Sequence, residues 1–182
     1  MKAYITSIGE TTTELCEWQL KRLGYKTILL DQVEPWIVKY KRFIEMANED
    51  CLRVDADILV NNSIPKGIDK DSLMIQFHVF DIYKNKISIC SPIFYRKKGI
   101  EIIRKNLDNL YVSRPEASAW RIEEINPYTK TSPIIAGIHG LLQNKETIDR
   151  AIENKKQRGQ FDDYDFELAK KINEIYVCKR LY

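Results

Sequence analysis

Short apolar runs alternate with amphipathic stretches along the N-terminal third of the chain. Ala3-Tyr4-Ile5-Thr6-Ser7-Ile8 is a compact apolar run that ends at Gly9 and reads as a buried strand. Thr11 with Glu14 has capping-box spacing, and Cys16, Leu20 and Leu23 then recur at steps of four and three. That pattern predicts a helix, stopped by Gly24. Lys26 to Asp31 predicts a second strand. A strand, a helix and a strand in such close succession make a βαβ unit, which calls for parallel pairing and a right-handed crossover. A further helix is expected from Val38 to Asn48, with Phe43, Ile44 and Ala47 apolar. Cys51-Leu52-Arg53-Val54 then leads to Asp55-Ala56-Asp57, followed by Ile58-Leu59-Val60.

Leu73 to Phe80 alternates as a strand, and Lys86 to Tyr95 is its expected hairpin partner across Asn85. Ile100, Ile103 and Leu107 predict a short helix face. Tyr111 to Pro133 reads largely as loop, punctuated by Arg114-Pro115 and Asn126-Pro127. Ile134 to Gly140 is apolar and carries Gly137 and Gly140, which predicts that backbone passes close to a neighbour there. Two helices are expected to finish the chain. One runs from Lys145 to Asn154. The other runs from Asp162 to Cys178, with Leu168, Ile172 and Ile175 inward and Asp162 or Asp163 as cap. There is no repeat and no linker, so the expectation is one α/β domain with a mostly parallel sheet flanked by helices.

Composition narrows the functional classes. A chain of 182 residues with three Trp, ten Tyr and six Phe has ample surface to bury in one core. Its 29 basic and 26 acidic residues give a net charge of +3 in scattered runs, so no nucleic-acid partner is expected. Cys16, Cys51, Cys90 and Cys178 form no CxxC pair, which argues against zinc and for small buried hydrophobes in a reducing compartment. No signal peptide and no transmembrane segment are visible; a span needs about 20 apolar residues. The expected location is cytoplasmic, with at most peripheral membrane contact, for which Lys179-Arg180-Leu181-Tyr182 is the candidate.

The chemistry concentrates at Asp55-Ala56-Asp57. In open α/β sheets ligands bind beyond the carboxyl ends of the strands. Two carboxylates there require compensation, and Mg²⁺ or Mn²⁺ could supply it while bridging a diphosphate. A turn with two capping aspartates is the alternative. Arg53 and Lys39 either compensate phosphate charge or lie on the surface. Trp120 and Tyr128 either stack an acceptor sugar or anchor a loop. Glu116 is a rival catalytic carboxylate with Arg114 as its expected ion-pair partner, and His78 reads as a packed or surface histidine.

These ordered pieces resemble the nucleotide-diphospho-sugar glycosyltransferases of the GT-A fold, the family 2-like group above all. Tyr4 to Glu10 looks like the family's first strand and donor loop. Leu52 to Ile58 looks like its metal-binding DxD strand, Gly137-Ile138-His139-Gly140 like its glycine loop, and Gln160 to Leu168 like its acidic xED segment. The resemblance implies a metal-dependent, inverting transfer of a sugar from a nucleotide-diphosphate donor to an acceptor hydroxyl. Residues 1–62 would bind the nucleotide sugar and residues 63–182 the acceptor, which could be a carbohydrate, a lipid-linked group or a protein. Asp55 and Asp57 would hold Mn²⁺ or Mg²⁺. Thr6, Glu10 and Asp31 would line the nucleoside pocket, with Arg53 at the phosphates and Gly137, His139 and Gly140 beside the donor. Asp163, next to Asp162, would be the general base for the acceptor hydroxyl.

Three other readings remain open. Val54-Asp55-Ala56-Asp57-Ile58 also resembles the first motif of haloacid-dehalogenase phosphatases, with Asp55 as nucleophile and Asp57 as acid, although a whole βαβ unit precedes it here. A nucleotidyltransferase of similar fold would carry a Gly-rich basic first loop, which Ser7-Ile8-Gly9-Glu10 is not. The non-enzymatic reading is a degenerate transferase domain that binds a sugar nucleotide or a partner.

Overall fold

The first βαβ unit forms where the periodicity expects it. In a computed structural model describing residues 1–31, 35–157 and 164–178, β1 (Lys2–Thr6) and β2 (Lys26–Leu30) pair in parallel around α1 (Thr13–Arg22). Cys16 and Leu20 are buried on the inner face of α1, and Gly24 follows its end at φ 86°. The expected capping box does not form. The Thr12 hydroxyl donates to the Ala56 carbonyl at 2.8 Å, and the Thr11 hydroxyl lies 3.3 Å from that of Thr147. Tertiary partners have claimed the hydroxyls that a local cap would use.

α2 (Trp36–Met46) buries Tyr40, Phe43 and Ile44. β3 (Cys51–Asp55) lies parallel to β1 on the side away from β2. The chain then turns at Ala56-Asp57 into β4 (Ile58–Val60), which does not pair with β3. Instead it crosses to the far edge of the sheet and runs antiparallel to β7 (Thr129–His139). Between them come the hairpin β5 (Met74–Asp81) and β6 (Lys86–Tyr95), with Asn85 at φ 47° in its turn, and then α3 (Lys97–Lys105) and α4 (Pro115–Trp120). α5 (Lys145–Gln157) and α6 (Phe166–Cys178) complete the described elements.

One seven-stranded sheet results, in the order β2-β1-β3-β6-β5-β7-β4. It is mixed rather than mostly parallel. β1–β2, β1–β3 and β5–β7 are parallel, whereas β3–β6, β5–β6 and β4–β7 are antiparallel. The cause is the hairpin in the middle: a connection as short as residues 82–85 admits only antiparallel pairing.

Two further expectations are corrected. The stretch 111–133 is not mainly loop, because it contains α4 and the start of β7. On α6, Ile172 packs inward but Ile175 is exposed, and Ala169 and Asn173 occupy the buried positions. The alternation of side chains along each strand divides the core. Ile5, Leu52, Val54, Phe77 and Phe94 pack under α1, while Tyr4, Met74, Ile93 and Tyr95 pack under α2 and α3. Cys16 and Cys51 are buried and free, and Cys90 is half-buried and free. Among the described residues no helix is long and apolar enough to cross a membrane.

Candidate functional site

Parallel register brings three strand ends together. Thr6 pairs with Leu30 on one side and with Asp55 on the other, so Asp31, Thr6 and Asp55 emerge at one end of β2, β1 and β3. This is the carboxyl end, where ligands of open α/β sheets bind.

The first half of the site is built on Arg53. Period-two alternation puts Arg53 and Asp55 on the same face of β3. The guanidinium is buried, at 2% exposure, so its charge must be met inside the protein. Nη1 lies 2.6 Å from Asp55 Oδ1, and Nη2 lies 3.4 Å from Glu116 Oε1 on α4. The indole of Trp36 covers the guanidinium at 4.9 Å and donates its own N–H to Glu116 Oε2 at 2.8 Å. Thr6 Oγ1 donates to Asp55 Oδ1 at 2.7 Å, and the Asp55 N–H donates to Ser91 Oγ at 2.7 Å. Burial works to raise the Asp55 pKa, but the Arg53 charge and the Thr6 hydroxyl outweigh it and hold it below the usual carboxylate range.

The second half is built on His139. The last residue of β7 is flanked by carboxylates on both sides: Nε2 lies 3.0 Å from Asp57 Oδ2, and Nδ1 lies 3.0 Å from Asp81 Oδ1 at the end of β5. The Tyr83 ring meets the imidazole edge-on at 5.3 Å. Burial opposes a charged imidazole here, but Asp57 and then Asp81 prevail and raise its pKa well above the ordinary value. Asp57 Oδ1 is buried and has no hydrogen-bond partner among the described residues. Glu10, in the loop after β1, has its pKa raised to about 7 by burial and then by the charge of Asp57. The Ser7 hydroxyl and the Ile8 N–H, each donating to Glu10 Oε2 at 2.7 Å, oppose that rise.

The glycine run passes close to its neighbours, as expected. A Cβ on Gly137 would lie 2.2 Å from the Leu59 carbonyl oxygen on β4. Gly140 has φ 80°, donates its N–H to the Asp57 carbonyl at 2.9 Å, and would place a Cβ 2.4 Å from the Tyr83 ring. A buried polar chain braces the turn from behind. Asn173 on α6 donates to the Gly140 carbonyl at 3.0 Å and accepts the Gln143 N–H at 2.8 Å. Gln143 Nε2 donates to Thr12 Oγ1 at 2.7 Å, and Thr12 in turn reaches the Ala56 carbonyl.

The structure therefore gathers Thr6, Arg53 and Asp55 in one cluster, and Glu10, Asp57, His139 and Gly140 in a second beside it. Gly137 lies further along β7, paired with Val60. Asp31 is exposed just past β2, with β1 between it and the Asp55 strand. Asp162 and Asp163 lie outside the described residues. The helix they were expected to cap begins at Phe166, and its cap is Asp165, whose Oδ1 accepts the Leu168 N–H at 2.9 Å. Lys39 is buried with its ammonium donating to the Ser7 carbonyl. Glu116 meets Arg53 across the fold. His78 Nδ1 sits 2.7 Å from the Ser132 carbonyl oxygen, Trp120 packs against the core, and Tyr128 is exposed. Sequence reasoning missed Asp81, Tyr83, Ser91 and Asn173. Asp81 carries one local signal: it ends the alternating run of β5 and is buried at a strand terminus, where a carboxylate needs a partner.

No family model matches this chain, and no curated protein matches it. Among solved structures, A197 from STIV is 13% identical with a TM-score of 0.40, over 56% of this chain and 68% of that one. The apo-form glycosyltransferase GlyE of Streptococcus pneumoniae TIGR4 is 12% identical with a TM-score of 0.36, over 88% of this chain. This chain spans 51% of the GlyE chain. These TM-scores are too low for either similarity to assign a fold or an activity here.

Proposed function

We propose that the chain is a metal-dependent glycosyltransferase that takes a nucleotide-diphosphate sugar and transfers the sugar to an acceptor hydroxyl. The observation that carries this reading is Asp57 Oδ1, a buried carboxylate oxygen without a hydrogen-bond partner among the described residues. Beside it, burial and then the charge of Asp57 raise the Glu10 pKa to about 7. A divalent cation would satisfy that oxygen and relieve the repulsion.

Among the described residues no three His, Cys, Asp or Glu side chains converge into a complete ligand cluster. A cation held at Asp57 would therefore have to be completed by the donor's phosphates. Asp57 would hold it, with the Asp55 carboxylate, 30% exposed, as its second protein ligand. The metal would supply neutralisation of charge on the diphosphate leaving group. Arg53 keeps Asp55 ionised and immobile, and His139 keeps Asp57 oriented. Thr6 and Asp31 would face the nucleoside. Asp163 is proposed as the base that takes the proton of the acceptor hydroxyl, with Asp162 beside it.

Asp57→Asn retains an acceptor for His139 and removes the charge a cation needs. It is expected to abolish Mn²⁺-dependent binding of nucleoside diphosphates while the chain still unfolds in one cooperative transition, with a midpoint shifted by the loss of the charge facing His139 and Glu10. Wild-type affinity in this variant would move the metal elsewhere. Asp163→Asn is expected to spare donor binding and remove transfer.

A second reading is favoured by one observation, the commitment of Asp55 Oδ1 to Arg53 and Thr6. In that reading the domain is a degenerate module that binds a sugar nucleotide without metal, and chelator then leaves nucleotide binding unchanged.

A further inference from the structure

A cavity of about 280 Å³ opens between the outer part of α1 and β4 at the edge of the sheet. It is separate from the Asp55 and His139 clusters, and the proposal drawn from it does not rest on the transferase reading. One wall is Trp18, which is 52% exposed although it is a large aromatic. Arg22, one helical turn on, lays its guanidinium over the Trp18 ring at 4.8 Å. Among the described residues no carboxylate pairs with Arg22, and no acidic side chain lines the cavity. Leu23 and Val60 form an apolar floor, and Asn61 and Asn62 bring neutral amides to the rim.

Three features restrict the occupant. The Val60 N–H, which an added strand would need, already donates to Gln19 Oε1 at 3.1 Å, so this sheet edge is closed to strand addition. Asn61 is fixed in place, with Nδ2 donating to the Ile135 carbonyl at 2.8 Å and Oδ1 accepting the Ser63 N–H at 2.9 Å. The volume of about 280 Å³ lies just below the usual range of ligand pockets, which begins at about 300 Å³, so the site takes one small unit. A ligand that presents polarised C–H surface and an anionic group side by side would engage both the exposed part of the Trp18 ring and the guanidinium stacked on it. The negative face of an aromatic ring attracts such C–H groups, and a guanidinium takes a carboxylate in a bidentate pair. Ring hydroxyls would find the carboxamides at the rim.

We propose that this cavity is a binding site for a saccharide unit bearing a carboxylate, a sugar acid of the uronate type. Calorimetry with glucuronate and galacturonate disaccharides, their neutral counterparts and a proline-rich peptide tests it. At least one uronate disaccharide is expected to bind, and its neutral counterpart to bind about tenfold more weakly, the contribution of one charge-assisted contact. Arg22→Gln should erase that difference while the neutral sugar still binds. Trp18→Ala should abolish binding of both, and as a half-exposed position it should leave the unfolding midpoint unchanged. Equal affinity for acidic and neutral sugars, undiminished binding in Trp18→Ala, capture of the peptide alone, or no binding by any member of the set would each overturn the proposal.

Discussion

Arg53 holds two acidic side chains from inside the protein, and that single position governs the first half of the site. Removing it would leave Asp55 and Glu116 facing each other with their common cation gone. Arg53→Met is therefore expected to cost about 3 kcal/mol in chemical denaturation, the range for breaking a buried ion pair on one side. Arg53→Lys should cost less, because it keeps the charge but cannot bridge two carboxylates and stack under Trp36 at once. A loss under about 0.5 kcal/mol for the Met variant, the size of an ordinary surface substitution, would show that the cluster is not held by this charge. Asp55 was legible in the sequence as a strand-end carboxylate. The inward turn of Arg53 was not. It depends on Glu116 and Trp36, which come from α4 and α2, and no local spacing links either to β3.

At the scale of elements, β7 and its turn carry the constraint on Asp57. Two glycines with nearly the same backbone angle separate the causes. Gly24 at φ 86° has open space where a Cβ would go, whereas Gly140 at φ 80° faces the Tyr83 ring. Gly24→Ala should therefore cost only the left-handed backbone penalty, about 1 kcal/mol. Gly140→Ala should cost that and a steric clash, about 3 kcal/mol in total. Equal costs in urea unfolding would mean that Tyr83 yields and the turn is not pinned. The glycine run was legible because backbone freedom is a residue property. So were the βαβ unit and the β5–β6 hairpin, whose signals lie within single short segments. The placement of β4 was not legible. Ile58-Leu59-Val60 reads as a continuation of β3, and only pairing with β7 draws it across the sheet. α4 was missed although Pro115 stands at its first turn, a favoured place for proline, because the helix is only six residues long.

At the scale of the whole molecule, the buried charges around Asp57 set how stability depends on pH. His139 has a folded pKa above its unfolded value, so its contribution is complete below about 6.5 and is lost as pH rises through the folded pKa. Glu10 also has a raised pKa, about 7 when folded against 4.5, so the native state loses stability as pH climbs through that window. Asp55 acts in the opposite sense: its contribution is present above its unfolded pKa and lost in acid. Urea midpoints are expected to fall from about pH 5 to about pH 8. Glu10→Gln should flatten the part below pH 7, the upper limit of its window. A profile that rises across this range would contradict the charge arrangement around His139. A bound divalent cation should shift the same profile, because its charge beside Glu10 disfavours the protonated carboxyl.

The central claim is that the Asp55 and Asp57 carboxylates hold a metal for a nucleotide-diphosphate donor. Calorimetric titration of UDP, GDP and CDP into the protein, with Mn²⁺ and then with chelator, tests it most directly. The account predicts that one nucleotide binds with Mn²⁺ and that chelator removes the binding. Binding of none of the three in the presence of Mn²⁺, or equal binding with chelator, would contradict it.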